Sequence, residues 1–299
     1  MDLRELRYFV TIVEHTTFTA AAAKLHISQP SLSATIKKLE HNIGFSLLDR
    51  NSRELRLTKE GKILYHEAKK LLNHSEHVRE EMIRLKKDGP LEISLGLIES
   101  AKYWLPKVLY AFKQQYPNVH MKIFDILSSS EVVKSFDNYT IHLAITNQYI
   151  DNPDIQSLPL YEEKLVVLLP SSSSLADKEA LTIHDLEQEP FIVCREGFQT
   201  REDILNTFRK VGVKPNLQFE IERFETAISL VENGLGITVV PENYVKGTTK
   251  YQFHIKPIHK SHNISRTVYL TTNTNHYLPP IVLTFINLIQ DYFEKMKGS

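Results

Sequence analysis

Through residues 1–87 the apolar positions recur at intervals of three and four, the period of helices packed on one side. Leu3, Leu6, Phe9, Val10 and Val13 give one face of a helix over residues 2–14. A shorter helix is expected from about Thr19 to Leu25, with Phe18, Ala22 and Leu25 turned inward. Ser28 then opens a third: its hydroxyl can accept the Ser31 N–H, and Pro30 in the first turn sacrifices no needed donor. Leu32, Ile36, Leu39 and Ile43 stripe its inner face. Residues 46–50 and 54–58 read as two short strands around Asn51-Ser52-Arg53, and Thr58 caps a long helix reaching about Lys87, roughly 40 Å. Along it Leu64, Ala68, Leu71, Ser75, Val78, Met82 and Leu85 alternate steps of four and three, the seam of a two-stranded coiled coil. The stripe predicts a dimer; packing on the chain's own C-terminal half is the alternative.

Asp88-Gly89-Pro90 ends the helix, and the pattern changes. Strands are expected at 91–97, 119–126 and 141–145, with helices at 103–116 and 130–136. A second round follows, with strands at 164–169, 191–194, 217–221 and 237–240 and helices at 182–186, 200–211 and 224–233, the second of these stopped by Gly212. Residues 266–271 read as a strand and 280–297 as a closing helix. Alternating strand and helix imply a mostly parallel sheet in an α/β multidomain chain. The expected domains are 1–58, 59–87 and 88–299, the last with one lobe at about 91–160 and 266–299 and another at about 161–265.

Composition narrows the class. Of 299 residues 42% are hydrophobic and 24% charged, the profile of a globular protein, and no apolar run approaches a membrane span. The N-terminus alternates charge with leucine instead of building a secretory signal, so a cytoplasmic protein without membrane partners is expected. Cys194 is the only cysteine, which excludes an intramolecular disulfide. It terminates an apolar strand and reads as a core residue, with redox sensing beside Arg195 as the alternative. Formal net charge is zero, but residues 1–87 hold 16 Lys+Arg against 11 Asp+Glu, hence +5, and the remainder carries −5. The basic half is the half with the helix-turn-helix pattern.

On that half the polar face of the third helix carries Gln29, Ser31, Ser33, Ala34, Lys37 and Lys38, residue types that bond adenine edges, bases and phosphates in a major groove. An ordinary solvated face is the alternative. Arg50, Arg53 and Arg56 sit on or beside the hairpin, where they could reach phosphates or the minor groove. The arrangement is a winged helix-turn-helix. The histidine pairs His74/His77 and His259/His262 lack zinc-ligand spacing, and no Gly-x-Ser-x-Gly or phosphate-binding loop occurs, so neither metal, cofactor nor catalysis is expected.

Leu6 to Phe9, the Phe18-Thr-Ala-Ala-Ala stretch, Ser28-Gln-Pro-Ser-Leu-Ser, Leu39-Glu, Gly44-Phe-Ser-Leu-Leu-Asp-Arg and Leu57-Thr-Lys-Glu-Gly together resemble the N-terminus of LysR-type transcriptional regulators over about sixty residues. Looser motifs, among them Gln115-Tyr-Pro-Asn and Gly234-Leu-Gly-Ile-Thr-Val-Val-Pro, resemble the family's two-lobed effector domain, whose fold is like that of periplasmic solute-binding proteins. The resemblance implies contacts from Thr19, Gln29, Pro30, Ser31, Ser33, Lys37 and the three arginines to double-stranded DNA. It implies dimers or tetramers, RNA polymerase as a further partner, and a small-molecule effector.

In open α/β folds ligands lie beyond the carboxyl ends of strands. Ser100, Ser128, Ser129, Thr146, Asn147 and Thr200 fall at such ends or at helix starts and match the family's effector-contact positions. Hydroxyls beside free N–H groups favour an anion, with a carboxylate the expected class. Phe198 and Phe224 could cover the ligand, with a core role as the alternative. Lys102, Arg195 and Arg223 read first as surface charges. A solute-binding transport protein would not need residues 1–87, and an enzyme would need a catalytic set that the crevice lacks.

Overall fold

The computed structural model describes residues 1–49, 55–87, 91–126, 128–245, 252–262 and 264–297. It forms two compact units, Met1–Gly89 with Asp137–Thr140, and Pro90–Phe136 with Ile141–Ser299.

The first unit holds α1 (Leu3–His15), α2 (Phe18–Lys24), α3 (Gln29–Ile43), β1 (Leu48–Asp49), β2 (Arg56–Leu57) and α4 (Lys59–Lys87). Asp2 and Glu5 close a reciprocal capping box on α1, with Glu5 N donating to Asp2 Oδ1 at 2.8 Å and Asp2 N to Glu5 Oε2 at 3.0 Å. Leu6, Phe9 and Ile12 are buried, whereas Leu3, expected on the inner face, stands in the first turn and is exposed. Helix α2 starts one residue earlier than expected because Thr17 caps it, accepting from Ala20 N. The chain then reverses through His26 at φ 56°, a left-handed turn in which Ile27 N donates to Ala22 O. Ala21 and Ala22 are buried against Leu32, Ile36 and Leu39, so the alanines let α2 approach α3 closely.

Strands β1 and β2 pair antiparallel, Leu48 with Leu57. Glu40 Oε1 accepts from Leu47 N and Leu48 N and ties the hairpin to α3. Thr58 caps α4 by accepting from Gly61 N at 2.9 Å while its hydroxyl donates to Ser46 O at 2.7 Å. Gly61 faces the Leu47 carbonyl so closely that a Cβ would overlap it, which explains the glycine in the Thr-Lys-Glu-Gly run. The hairpin tip, with Arg50 and Arg53, lies outside the described residues.

The α4 stripe divides. Ala68 is fully buried against Leu6 and Val10 of α1, and Leu64 packs there half-buried. Ala68 serves the core of its own unit, a correction to its place in the expected dimer seam, while Leu64 keeps part of its surface open. Leu71, Val78 and Met82 are exposed. The side chain of Leu85 lies outside the described set.

The second unit runs β3 (Glu92–Leu97), a 3-10 turn (Glu99–Tyr103), α5 (Leu105–Gln115), β4 (His120–Asp125), α6 (Ser129–Asp137), β5 (Leu143–Thr146), β6 (Ile155–Pro170), α7 (Ile183–Leu186), β7 (Pro190–Cys194) and α8 (Gln199–Val211). It continues through β8 (Asn216–Ile221), α9 (Phe224–Glu232), β9 (Ile237–Pro241), α10 (Glu242–Val245), β10 (Phe253–Pro257), β11 (Ser265–Asn273) and α11 (Pro280–Lys297). Strand order is β4-β3-β5-β11-β6-β9-β7-β8, with β10 also on β6. Pairing is parallel where β3 meets β4 and β5 and where β7 meets β8 and β9, as alternating strand and helix require. It is antiparallel wherever β6 or β11 enters, so the sheet is mixed and not mostly parallel.

Strand β6 is 16 residues long and starts at Ile155, well before the expected Lys164. Its first part pairs with β11 in one lobe, and Leu165 to Pro170 pair with β9 and β10 in the other. Together β6 and β11 carry the chain between lobes. Ile93, Leu95, Phe112, Phe285 and Ile289 centre the core of the first lobe. The second lobe has a core on each face of its sheet, with Val167, Leu169, Phe191 and Val239 on one side and Leu168, Ile192 and Val240 on the other.

Candidate functional site

In the first unit α3 buries Leu32, Ile36 and Leu39 and leaves its opposite edge bare. Gln29, Ser33 and Lys37, spaced by four, stack in one row: Gln29 and Lys37 exposed, Ser33 half-buried. Pro30 and Ser31 are exposed in the first turn, where Ser28 Oγ accepts from Ser31 N at 3.4 Å. Thr19 is exposed on α2, and Arg56 is exposed on β2. Lys38 lies 3.8 Å from the buried Glu5 carboxylate, so the α1 capping box also orients this helix.

In the second unit a narrow cleft of about 20 Å³, room for a single water, lies between the lobes. Its lining brings together Ser100 and Glu99 from the 3-10 turn, Asn147 after β5, Thr200 on α8, and the rings of Phe198 and Phe224. Both phenylalanines are largely buried and also belong to the second lobe's core. Arg266 forms part of the same wall. Its Nε and Nη2 donate to Glu163 Oε2 at 2.9 and 2.8 Å, and its Nη1 donates to Thr200 Oγ1 at 2.7 Å and reaches Asp203 at 3.5 Å. Because Arg266 and Glu163 face each other across the two crossover strands, this buried network sits at the pivot between lobes.

Ser100 is 1% exposed, and its hydroxyl makes no regular hydrogen bond among the described residues. The Tyr161 hydroxyl on β6 is its hydrogen-bonding neighbour, outside the geometry of a regular bond. A buried hydroxyl left unbonded is unfavourable by about 1–3 kcal/mol, which marks the position as one made to be completed. Glu99 Oε2 accepts from Phe224 N at 3.2 Å, a contact from one lobe to the other. Burial raises the Glu99 carboxyl above the usual carboxylate range, against the hydrogen bond from Phe224 and the nearby cations.

The remaining candidates separate. Ser128 closes a capping box with Glu131, and neither it nor Ser129 lines the cleft. Thr146 is buried and its hydroxyl donates to Gln148 O, so it completes its own turn instead of facing a ligand. Arg195 pairs with Glu222 at 2.9 Å and Arg223 with Asp125 at 2.5 Å. Lys102 lies 3.7 Å over the Tyr244 ring, and burial lowers its pKa. Cys194 is buried, and burial pushes its thiol up to about 12, far from the thiolate a redox sensor needs. Glu99, Glu163 and Arg266 escaped the sequence reading. The available signal was charge set within apolar strands, Glu163 inside the run to Leu169 and Arg266 at the head of another.

Comparison with known proteins bears on both units. Residues 3–62 match the family described as bacterial regulatory helix-turn-helix protein, lysR family, and residues 89–294 match the LysR substrate binding domain. The HTH-type transcriptional regulator YybE of Bacillus subtilis (strain 168) is 30% identical over 299 residues, covering 99% of this chain and 100% of the relative. A probable cat1 operon transcriptional activator of Acinetobacter lwoffii is 31% identical, covering 81% and 80%. Among solved structures, CbnR superposes with a TM-score of 0.70 at 21% identity over 98% of this chain and 99% of that one. Full-length BenM gives 0.60 at 25% identity over 99% and 98%. The chain belongs to the LysR family of bacterial transcriptional regulators, DNA-binding proteins that couple a helix-turn-helix to an effector-binding domain.

Proposed function

We propose that this regulator reads its operator with the Gln29–Ser33–Lys37 row of α3 in the major groove, while Thr19, Pro30, Ser31 and the arginines 50, 53 and 56 of the hairpin hold the flanking backbone. The observation that carries the reading is the contrast across α3: one edge is sealed into the core, and the other presents an amide, a hydroxyl and an ammonium at one-turn spacing. Functionally the chain divides at 58 and 87 into DNA-binding, linker and effector parts. Two copies associate along the exposed part of α4, through Leu71, Val78 and Met82, and dimers pair further into tetramers.

The effector is a small carboxylate held in the interlobe cleft by Ser100, Asn147 and Thr200, with Phe198 and Phe224 as apolar walls. A ligand that prefers one closure of the lobes shifts the balance of conformations and thereby the packing of copies on DNA and contact with RNA polymerase. Support comes from the unbonded buried Ser100 hydroxyl. The test is binding of the full chain to its own upstream DNA across salt concentrations, wild type against Gln29→Ala/Ser33→Ala. Wild type should bind specifically, and the variant should keep only salt-sensitive nonspecific affinity. Equal specificity in both proteins would overturn the assignment of α3 as the reader.

A further inference from the structure

The charges around the cleft restrict its ligand further. Glu99, Glu163 and Asp203 bring three carboxylates to the cleft and its wall, against the single guanidinium of Arg266. That guanidinium is already engaged by Glu163, Thr200 and Asp203. The two other cations near Glu99 are engaged as well, Arg223 by Asp125 and Lys102 by the Tyr244 ring. A simple carboxylate entering here would add a fourth negative group to a poorly hydrated space without a free cation among the described residues to meet it.

Two features nevertheless call for opposite partners. Helix α8, 13 residues long, has Phe198 at its N-cap, so no side chain of the cap accepts from its first-turn N–H groups. Beside it Ser100 Oγ is buried and, among the described residues, has no regular hydrogen bond, only the Tyr161 hydroxyl nearby. This corner accepts an anion. On the adjacent residue, Glu99 Oε2 takes the Phe224 N–H, and Oε1 has no donor among the described residues. That oxygen accepts a cationic donor.

We infer that the effector is a small amphoteric compound, an amino acid or short amino carboxylic acid, with its carboxylate at the α8 N-terminus and Ser100 and its ammonium on Glu99. The inference rests on the cleft being the effector site, as proposed above. Such a ligand adds no net charge to the cleft. Ile98, Phe198 and Phe224 give the space an apolar wall, and at about 20 Å³ it admits such a ligand only when the lobes part. Glu99 thus distinguishes amino acids from the same acids without nitrogen.

The test is calorimetric titration of the full chain with matched trios: L-alanine, propionate and ethylamine; L-leucine, 4-methylpentanoate and 3-methylbutylamine. For at least one trio the amino acid should bind roughly tenfold to hundredfold tighter than its acid or its amine. Glu99→Gln should erase that preference, and Ser100→Ala should weaken the amino acid. The wild-type ratio decides the matter even if a variant folds poorly. Acids binding as well as amino acids, with Ser100→Ala weakening both, would overturn the amphoteric ligand and leave the cleft as the effector site. Absence of binding across the panel, or binding that Ser100→Ala leaves untouched, would overturn the cleft assignment and the inference with it.

Discussion

Replacing Arg266 by methionine should destabilise the effector unit far more than its own loss of contacts suggests. Glu163 is 1% exposed, and Oε2 receives both described hydrogen bonds to its side chain from Arg266, while Oε1 has no partner among the described residues. Removing the guanidinium strands a buried carboxylate, at a cost of about 3–5 kcal/mol. The Thr200 hydroxyl also loses a donor, on the order of 1 kcal/mol. For a unit of this size each kcal/mol is worth about 2–4 °C, so the combined loss of about 4–6 kcal/mol should lower the melting midpoint by roughly 8–24 °C. Trp104 is the chain's only tryptophan and is buried in this unit, donating through Nε1 to the Tyr161 hydroxyl. Its fluorescence therefore reports unfolding of the effector unit within the intact protein. The decisive control is Arg266→Met with Glu163→Leu, which removes both charges and should return stability to within about 1 kcal/mol of wild type or above it. A single variant that loses less than about 1 kcal/mol, or a double variant as unstable as the single, would refute the stranded-charge argument.

Three further outcomes follow from individual environments. Gly61→Ala must move the Leu47 backbone or α4 and should cost about 1–3 kcal/mol, with reduced DNA affinity, as followed by far-UV melting and operator binding. Cys194 should resist a thiol reagent at pH 8 until the protein is denatured; because its folded pKa of about 12 lies above that of the unfolded thiol, stability should decline as pH rises beyond about 9. Glu99→Gln should raise the unfolding midpoint at pH 7, because the half-buried carboxylate it removes has a raised pKa. The cost of that charge is absent below the unfolded pKa and grows as pH rises towards the folded one, so the difference from wild type should vanish near about pH 4.

Local chemistry made the first unit legible. Ser28 as a cap and the Leu32–Ile36–Leu39 stripe are short-range features, and the helix they define is the one observed. The α4 stripe shows where such reading stops. Leu64 and Ala68 continue the same heptad as Leu71 and Val78, yet α1 covers the first pair. Periodicity states that a face is apolar and is silent on what covers it. The apolar pattern understates β6 for a related reason. Pro159 and the charged pair Glu162-Glu163 interrupt it, and Glu163 is tolerable inside only because Arg266 stands opposite it, 103 residues later.

The same limit governs the cleft. Ser100, Ser128, Thr146 and Thr200 look alike in sequence, since each is a hydroxyl at a strand end or helix start. What separates them is how their hydrogen bonds are satisfied. Ser128 is answered by Glu131 three residues away and Thr146 by the Gln148 carbonyl, so for these two the local explanation suffices. Thr200 is answered by Arg266 from a crossover strand. Ser100 has only the irregular contact with the Tyr161 hydroxyl, although it is the most deeply buried of the four. A hydroxyl that neither its own turn nor a distant strand meets with a regular bond is the one that a ligand can complete. Its neighbour Glu99, which no local pattern singles out, then determines what charge that visitor can carry.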